Sequence, residues 1–122
     1  MEELNLRNYA YLGDAVWELH IRTKTIRQAN NAKILHKITT DKVKTGFQCE
    51  LLHIISDKLG EEELELARRA RNLPIPVGRK NIQNDYRQAT AFEALIGWWY
   101  EHDKQRLEEI LNFIDSNYIT FS

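Results

Sequence analysis

Apolar residues recur along this chain at helical spacing, and every periodic stretch reads as helix. Leu12, Ala15, Val16 and Leu19 follow the i, i+3, i+4, i+7 rule of one helix face. Leu35, Ile38, Val43, Phe47, Leu51 and Ile54, with the stem of Lys42, continue such a face through a long second helix. Glu61 to Ala70 is built from Glu, Leu, Ala and Arg, all good helix formers. A fourth, strongly apolar face runs through Ala89, Phe92, Leu95, Ile96 and Trp99, and a shorter last helix through Leu107, Ile110, Leu111, Phe113 and Ile114. The chain's two prolines, Pro74 and Pro76, mark a loop, because proline lacks an amide donor and holds its predecessor extended. No run alternates as a strand would, and nothing repeats. The pattern predicts an all-α helical bundle of about five helices, one domain over residues 1–122.

Composition narrows the class without naming a function. The chain has 122 residues, 17 Lys+Arg against 18 Asp+Glu, and a net charge of −1. One cysteine, Cys49, can form neither an internal disulfide nor a multi-cysteine zinc site, which suits a reducing compartment. Met1-Glu2-Glu3 is not the start of a signal peptide, and the apolar run from Ala94 to Tyr100 is too short to span a bilayer. The expectation is a soluble, cytoplasmic protein with no membrane partner.

The near-zero charge hides a strong asymmetry. Between Arg68 and Arg87 lie Arg68, Arg69, Arg71, Arg79, Lys80 and Arg87 against a single anion, Asp85, a net +5 that leaves −6 for the remainder. Part of this is helix electrostatics, with Glu61, Glu62, Glu63 and Glu65 toward the start and arginines at the end. The residues beyond that helix end are not explained so. Arg79, Lys80 and Arg87, with Asn72, Asn81, Gln83 and Asn84 interspersed, suit phosphate contacts.

Two carboxylates stand out from their surroundings. Gly13 and Asp14 are adjacent poor helix residues in a well-patterned helix, which suggests a close backbone approach there. The plainer reading of Asp14 is a solvent-facing residue paired with Arg7 or Lys24. Glu93 sits among Phe92, Ala94, Leu95, Ile96, Trp98 and Trp99. Burying a carboxylate there requires a compensating partner, either an arginine such as Arg69 or Arg71 or a metal ion. If Asp14 and Glu93 meet across a helix pair, they offer two hard oxygen ligands to one Mg²⁺, which typically takes one or two carboxylates and completes its shell with water and phosphate oxygens.

Tyr11-Leu12-Gly13-Asp14-Ala15-Val16, followed by Thr90-Ala91-Phe92-Glu93-Ala94-Leu95-Ile96-Gly97, resembles the two signature segments of ribonuclease III catalytic domains. With no double-stranded-RNA-binding domain in view, the chain is most similar to the short Mini-III subfamily. Leu35-His36, Arg68 to Asn72, Lys80-Asn81 and Tyr86-Arg87 add to the likeness. The resemblance implies an all-helical homodimer that cuts double-stranded RNA with Mg²⁺, Mn²⁺ being able to substitute. It makes Asp14 and Glu93 the catalytic and metal-binding residues, and Arg68, Arg69, Arg71, Asn72, Lys80, Asn81 and Arg87 the RNA-binding set. It further implies 5′-phosphate products, maturation of 23S ribosomal RNA precursor, a ribosomal protein as a helper that presents the substrate, and a cytoplasmic or plastid location.

Departures from the larger relatives are Ala10 and Thr90, where those enzymes carry two further acids, and Arg7, where they carry a glutamate. Fewer charged ligands imply weaker metal binding with more waters. Glu50 is a loose match to another acidic position. Among the remaining residues, His36 and His53 are expected to pack or cap, Cys49 to be a small core residue, and Trp98 and Trp99 to lie in the core or a dimer seam. Tyr86 and Tyr100 fall on the Glu93 side of their helix. The competing function is a non-catalytic duplex-RNA-binding or ribosome-assembly factor on the same fold, and a poorer one is a helical adaptor that touches no RNA.

Overall fold

The structure is a computed structural model and describes residues 5–75 and 83–119. Among the described residues six α-helices follow one another: α1 (Leu6–Thr25), α2 (Ala32–Val43), α3 (Thr45–Ile55), α4 (Glu61–Arg71), α5 (Gln83–His102) and α6 (Lys104–Asn117). A 3₁₀ turn at Ser56–Lys58 joins α3 to α4. Among the described residues there is no strand, and none of these helices is long and apolar enough to cross a membrane.

Polar side chains start the helices by meeting amides that have no partner inside them. Asn5 accepts from the Arg7 amide at 2.8 Å, Asn31 from Lys33 at 2.8 Å, and Asp103 from Arg106 at 3.1 Å. At α4 the roles reverse, and the Gly60 amide donates to Glu63 at 2.8 Å. The arginines at its other end face the negative pole of the same helix.

The central element is α5. It buries Ala89, Ala91, Phe92, Ala94, Leu95, Ile96 and Trp99, because α1, α3, α4 and α6 all pack around it. Most of its all-round apolarity is therefore satisfied by packing within the chain. Trp17 of α1 meets Phe92 edge to face at 5.2 Å and donates its indole N–H to the Lys42 carbonyl at 2.8 Å, tying α1 to the end of α2. Trp99 lies fully in the core, and its N–H donates to Glu63 at 2.6 Å. Arg106 Nε and Nη2 reach the same carboxylate at 3.0 Å each, so one acid joins α4, α5 and α6.

Two helix readings need correction. The long second helix is two helices, broken at Lys44, whose extended backbone (φ −69°, ψ 155°) ends α2 and begins α3. One straight helix of that span would be about 36 Å long, more than a small domain can cover. The buried face of α1 is Leu6, Tyr9, Gly13, Trp17 and Ile21, whereas Leu19 is 66 % exposed and Ala15 also faces out. Both faces of α1 carry apolar residues at helical spacing, and the one bearing the glycine and the aromatic rings goes inward. His36 and His53 are both exposed, His53 in the last turn of α3.

Candidate active site

Gly13 and Gly97 create the site by letting two helix backbones touch. A Cβ at position 13 would collide with the Glu93 carbonyl oxygen and lie 2.7 Å from its carbon. One at position 97 would collide with the Tyr9 carbonyl oxygen and lie 3.0 Å from the Gly13 nitrogen. Glycine is thus required on both sides of the α1–α5 crossing. The close approach expected from Gly13-Asp14 is to α5, and it brings the residue after Gly13 onto the residue four before Gly97.

Asp14 sits exposed at the rim of the buried face of α1, and Glu93 lies half-buried on α5. Their carboxyls are in contact. Burial pushes Glu93 up to about 8, the hydrogen bond and charge of Asp14 push the same way, and the Gln48 side chain pulls back. The shift is that expected of two acids sharing one desolvated place. None of the groups acting on Glu93 is an arginine, so a salt bridge to Arg69 or Arg71 does not account for its burial. Gln48 comes from α3 and is itself 2 % exposed.

Arg7, Ala10, Tyr11, Asp14, Tyr86, Thr90 and Glu93 line a shallow cleft of about 210 Å³. Ala10 and Thr90, the two positions short of an acid, therefore both face it. Tyr86 lines it as its helical position suggests. Tyr100 does not, and instead receives the Lys104 ammonium at 4.8 Å from its ring centroid. Arg7 lines the cleft too, with Nη2 donating to the Pro74 carbonyl at 2.6 Å.

The basic residues divide into two kinds. Arg68 and Arg69 project from the last turns of α4 and are exposed, as is Asn72 at its end. Arg68 pairs with Glu65 at 2.5 Å. Arg71 is half-buried and borders a second cleft with Cys49, Glu50, His53, Asn84 and Gln88. Glu50 belongs there and not to the Asp14–Glu93 cleft. Arg87 turns inward, its Nη1 donating to the carbonyls of Arg71 at 2.6 Å and Leu73 at 3.2 Å. It ties α5 to the end of α4 by satisfying carbonyls a helix leaves unpaired. Lys80 and Asn81 lie outside the described residues. Gln48 escaped the sequence reading, because a glutamine on a helix carries no sign of which face it occupies.

Among the described residues no group of three or more His, Cys, Asp or Glu side chains converges as a metal cage would. What the chain offers is a pair of hard carboxylate oxygens at an open cleft. That donor set fits Mg²⁺ or Mn²⁺, which keep waters and take phosphate oxygens, and does not fit a structural zinc site.

Two contacting carboxylates at an open cleft are a donor set that an enzyme acting on phosphate esters can use. Residues 7–104 match the family model described as Ribonuclease III domain, which makes the class that of the endoribonucleases. The Mini-ribonuclease 3 of Gloeobacter violaceus is 41 % identical over 115 residues, covering 94 % of this chain and 85 % of the relative. That of Thermoanaerobacter sp. is 43 % identical over 105 residues, covering 84 % and 74 %. The crystal structure of a Fusobacterium nucleatum protein superposes with a TM-score of 0.85 at 30 % identity, over 96 % of this chain and 98 % of the other. The chain belongs to the ribonuclease III family, in its Mini-III branch.

Proposed function

We propose that this endoribonuclease cuts double-stranded RNA in a Mg²⁺-dependent reaction and matures the 23S ribosomal RNA precursor at a base-paired stem. The contact between Asp14 and Glu93 carries the reading. Asp14 and Glu93 would hold the ion, which when bound polarises a phosphate oxygen and lowers the pKa of a bound water. Glu93 must release its proton for this, and the α1–α5 crossing keeps Asp14 beside it throughout. Few protein ligands leave most of the ion's shell to water and RNA.

Arg68, Arg69 and Asn72 on the exposed end of α4, with Arg71 beside them and Lys80 and Asn81 in the following segment, are the phosphate contacts. Arg87 serves the same surface by fixing the α4 end. A-form duplex is read largely through shape, phosphate and 2′-hydroxyl groups, which suits a basic edge without a deep groove. The working form is a homodimer with one cleft per strand. Its support is the outward stripe of α1 and its C-cap, where Tyr11 is 84 %, Leu19 66 % and Ile26 61 % exposed. A ribosomal protein that presents the substrate, and a cytoplasmic or plastid location, complete the proposal.

The test is cleavage of a base-paired 23S precursor stem with and without Mg²⁺, scoring 5′-phosphate ends. Nicking that persists in chelator, or an Asp14→Asn, Glu93→Gln double variant that cuts at the wild-type rate, overturns the site. Duplex binding with no nicking at any Mg²⁺ or Mn²⁺ concentration would instead support the binding-factor reading.

A further inference from the structure

The α1–α5 crossing fixes the backbones of Asp14 and Glu93 but not the direction of the Glu93 carboxylate, which swings on three side-chain torsions. Something else must aim it. Gln48 reaches it from a third helix, α3, where it is buried with Leu51, Leu52 and Ile55 on the inward face. Its side-chain nitrogen is shut off from water and makes no hydrogen bond of ordinary geometry. Buried amide donors are almost always satisfied, so an orphan in a core needs a reason. The group it faces is the Glu93 carboxyl.

We propose that Gln48 is a positioning residue: its amide N–H holds one oxygen of the Glu93 carboxylate and thereby points the other into the cleft. The inference rests on Glu93 being a metal ligand, as read above. A carboxylate oxygen is the partner the orphan donor lacks, and the Glu93 carboxyl is the group placed to supply it. Donors that orient a metal's ligands from behind typically matter 10- to 100-fold in metal affinity or activity.

The test uses Gln48→Leu, similar in volume and without the amide, and Gln48→Asn, which keeps the amide but withdraws it by one methylene. Mn²⁺ binding to the RNA-free protein is titrated directly, kcat and KM are measured on duplex RNA, and thermal unfolding is followed in chelator. Both variants should unfold at or near the wild-type temperature, bind Mn²⁺ about 10- to 100-fold more weakly, and lose kcat with KM within about twofold. Metal affinity and kcat within twofold of wild type in both overturn the proposal. So does a loss of activity that tracks the unfolded fraction alone. Should Gln48→Leu fail to fold, Gln48→Asn decides by the same readings. Glu93→Gln is measured beside them. If it still binds metal and cuts, the reading of Glu93 itself falls, whereas an inactive Glu93→Gln with unaltered Gln48 variants overturns only the role of Gln48.

Discussion

Gly13 of α1 lies so close to the backbone of Glu93 on α5 that a methyl group at position 13 has nowhere to go, with the Gly97 nitrogen only 2.9 Å away. The overlap is with main chain, so no rotamer relieves it. Gly13→Ala should destabilise the protein by about 2–3 kcal/mol, the upper part of the range for overpacking a tight contact. It should also slow cleavage per folded molecule, since the helices that carry the two acids must part. Gly46→Ala is the control: nothing lies within 4 Å of its Cβ, and better helix propensity there should stabilise by up to about 1 kcal/mol. Urea unfolding of both variants checks the pair.

Protonation of Glu93 gives stability a definite slope with pH. Burial first, and Asp14 second, raise its pKa from an ordinary 4.5 to about 8 in the folded chain. Between those values the folded state holds a proton the unfolded state has released. This contribution to stability is therefore complete below about 4.5 and is lost as pH rises to about 8. Thermal unfolding in chelator should show wild type losing ground to Glu93→Gln across that window. Metal binding expels the proton, so apparent Mg²⁺ affinity should climb with pH and level off near 8. Equal melting temperatures of the two proteins at pH 5 and pH 8 would sink the account.

Arg87 and the α4 arginines should separate cleanly. Removing Arg87 strips two carbonyls of their donor, and Arg87→Ala should cost about 1–3 kcal/mol of stability. Arg68→Ala and Arg69→Ala should leave unfolding nearly unchanged but weaken duplex binding. Each lost phosphate contact lowers the slope of log K against log salt by about 0.9. Filter binding from low to moderate salt reads the difference.

Much of the site was legible in the sequence because it breaks local rules. Two weak helix residues together at Gly13-Asp14, and a carboxylate inside the apolar run around Glu93, are penalties a helix accepts only for a reason. The buried face of α1 was not legible, since Tyr9, Gly13, Trp17 and Ile21 compete with an equally regular outward stripe and only packing chooses between them. The break at Lys44 left no trace in the apolar spacing, which runs on in phase across it, although Thr45-Gly46 is a weak helix start. Gln48 was beyond reach because its meaning comes entirely from what α5 places opposite it.

Glu63 offers a test of the fold remote from the cleft. Burial raises its pKa, but bonds from Arg106, the Gly60 amide and Trp99 outweigh that and hold it below the usual carboxylate range. Glu63→Ala strands an indole N–H and a guanidinium, and should lose about 2–4 kcal/mol. Per folded molecule, kcat should stay within twofold, as the residue does not line the cleft. A larger fall in kcat would mean that α4 and α6 act on the acids through α5.

The two acids stand 79 positions apart in the chain, yet neither makes a site without the other. During synthesis, α1 emerges with Asp14 long before α5 delivers Glu93, and the cleft exists only once α5 has docked between its neighbours. That docking is also the step that closes the core. Because α1, α3, α4 and α6 pack around α5, the pairing of the two acids and the closing of the core are one event, and loss of the core should separate the acids at the same temperature.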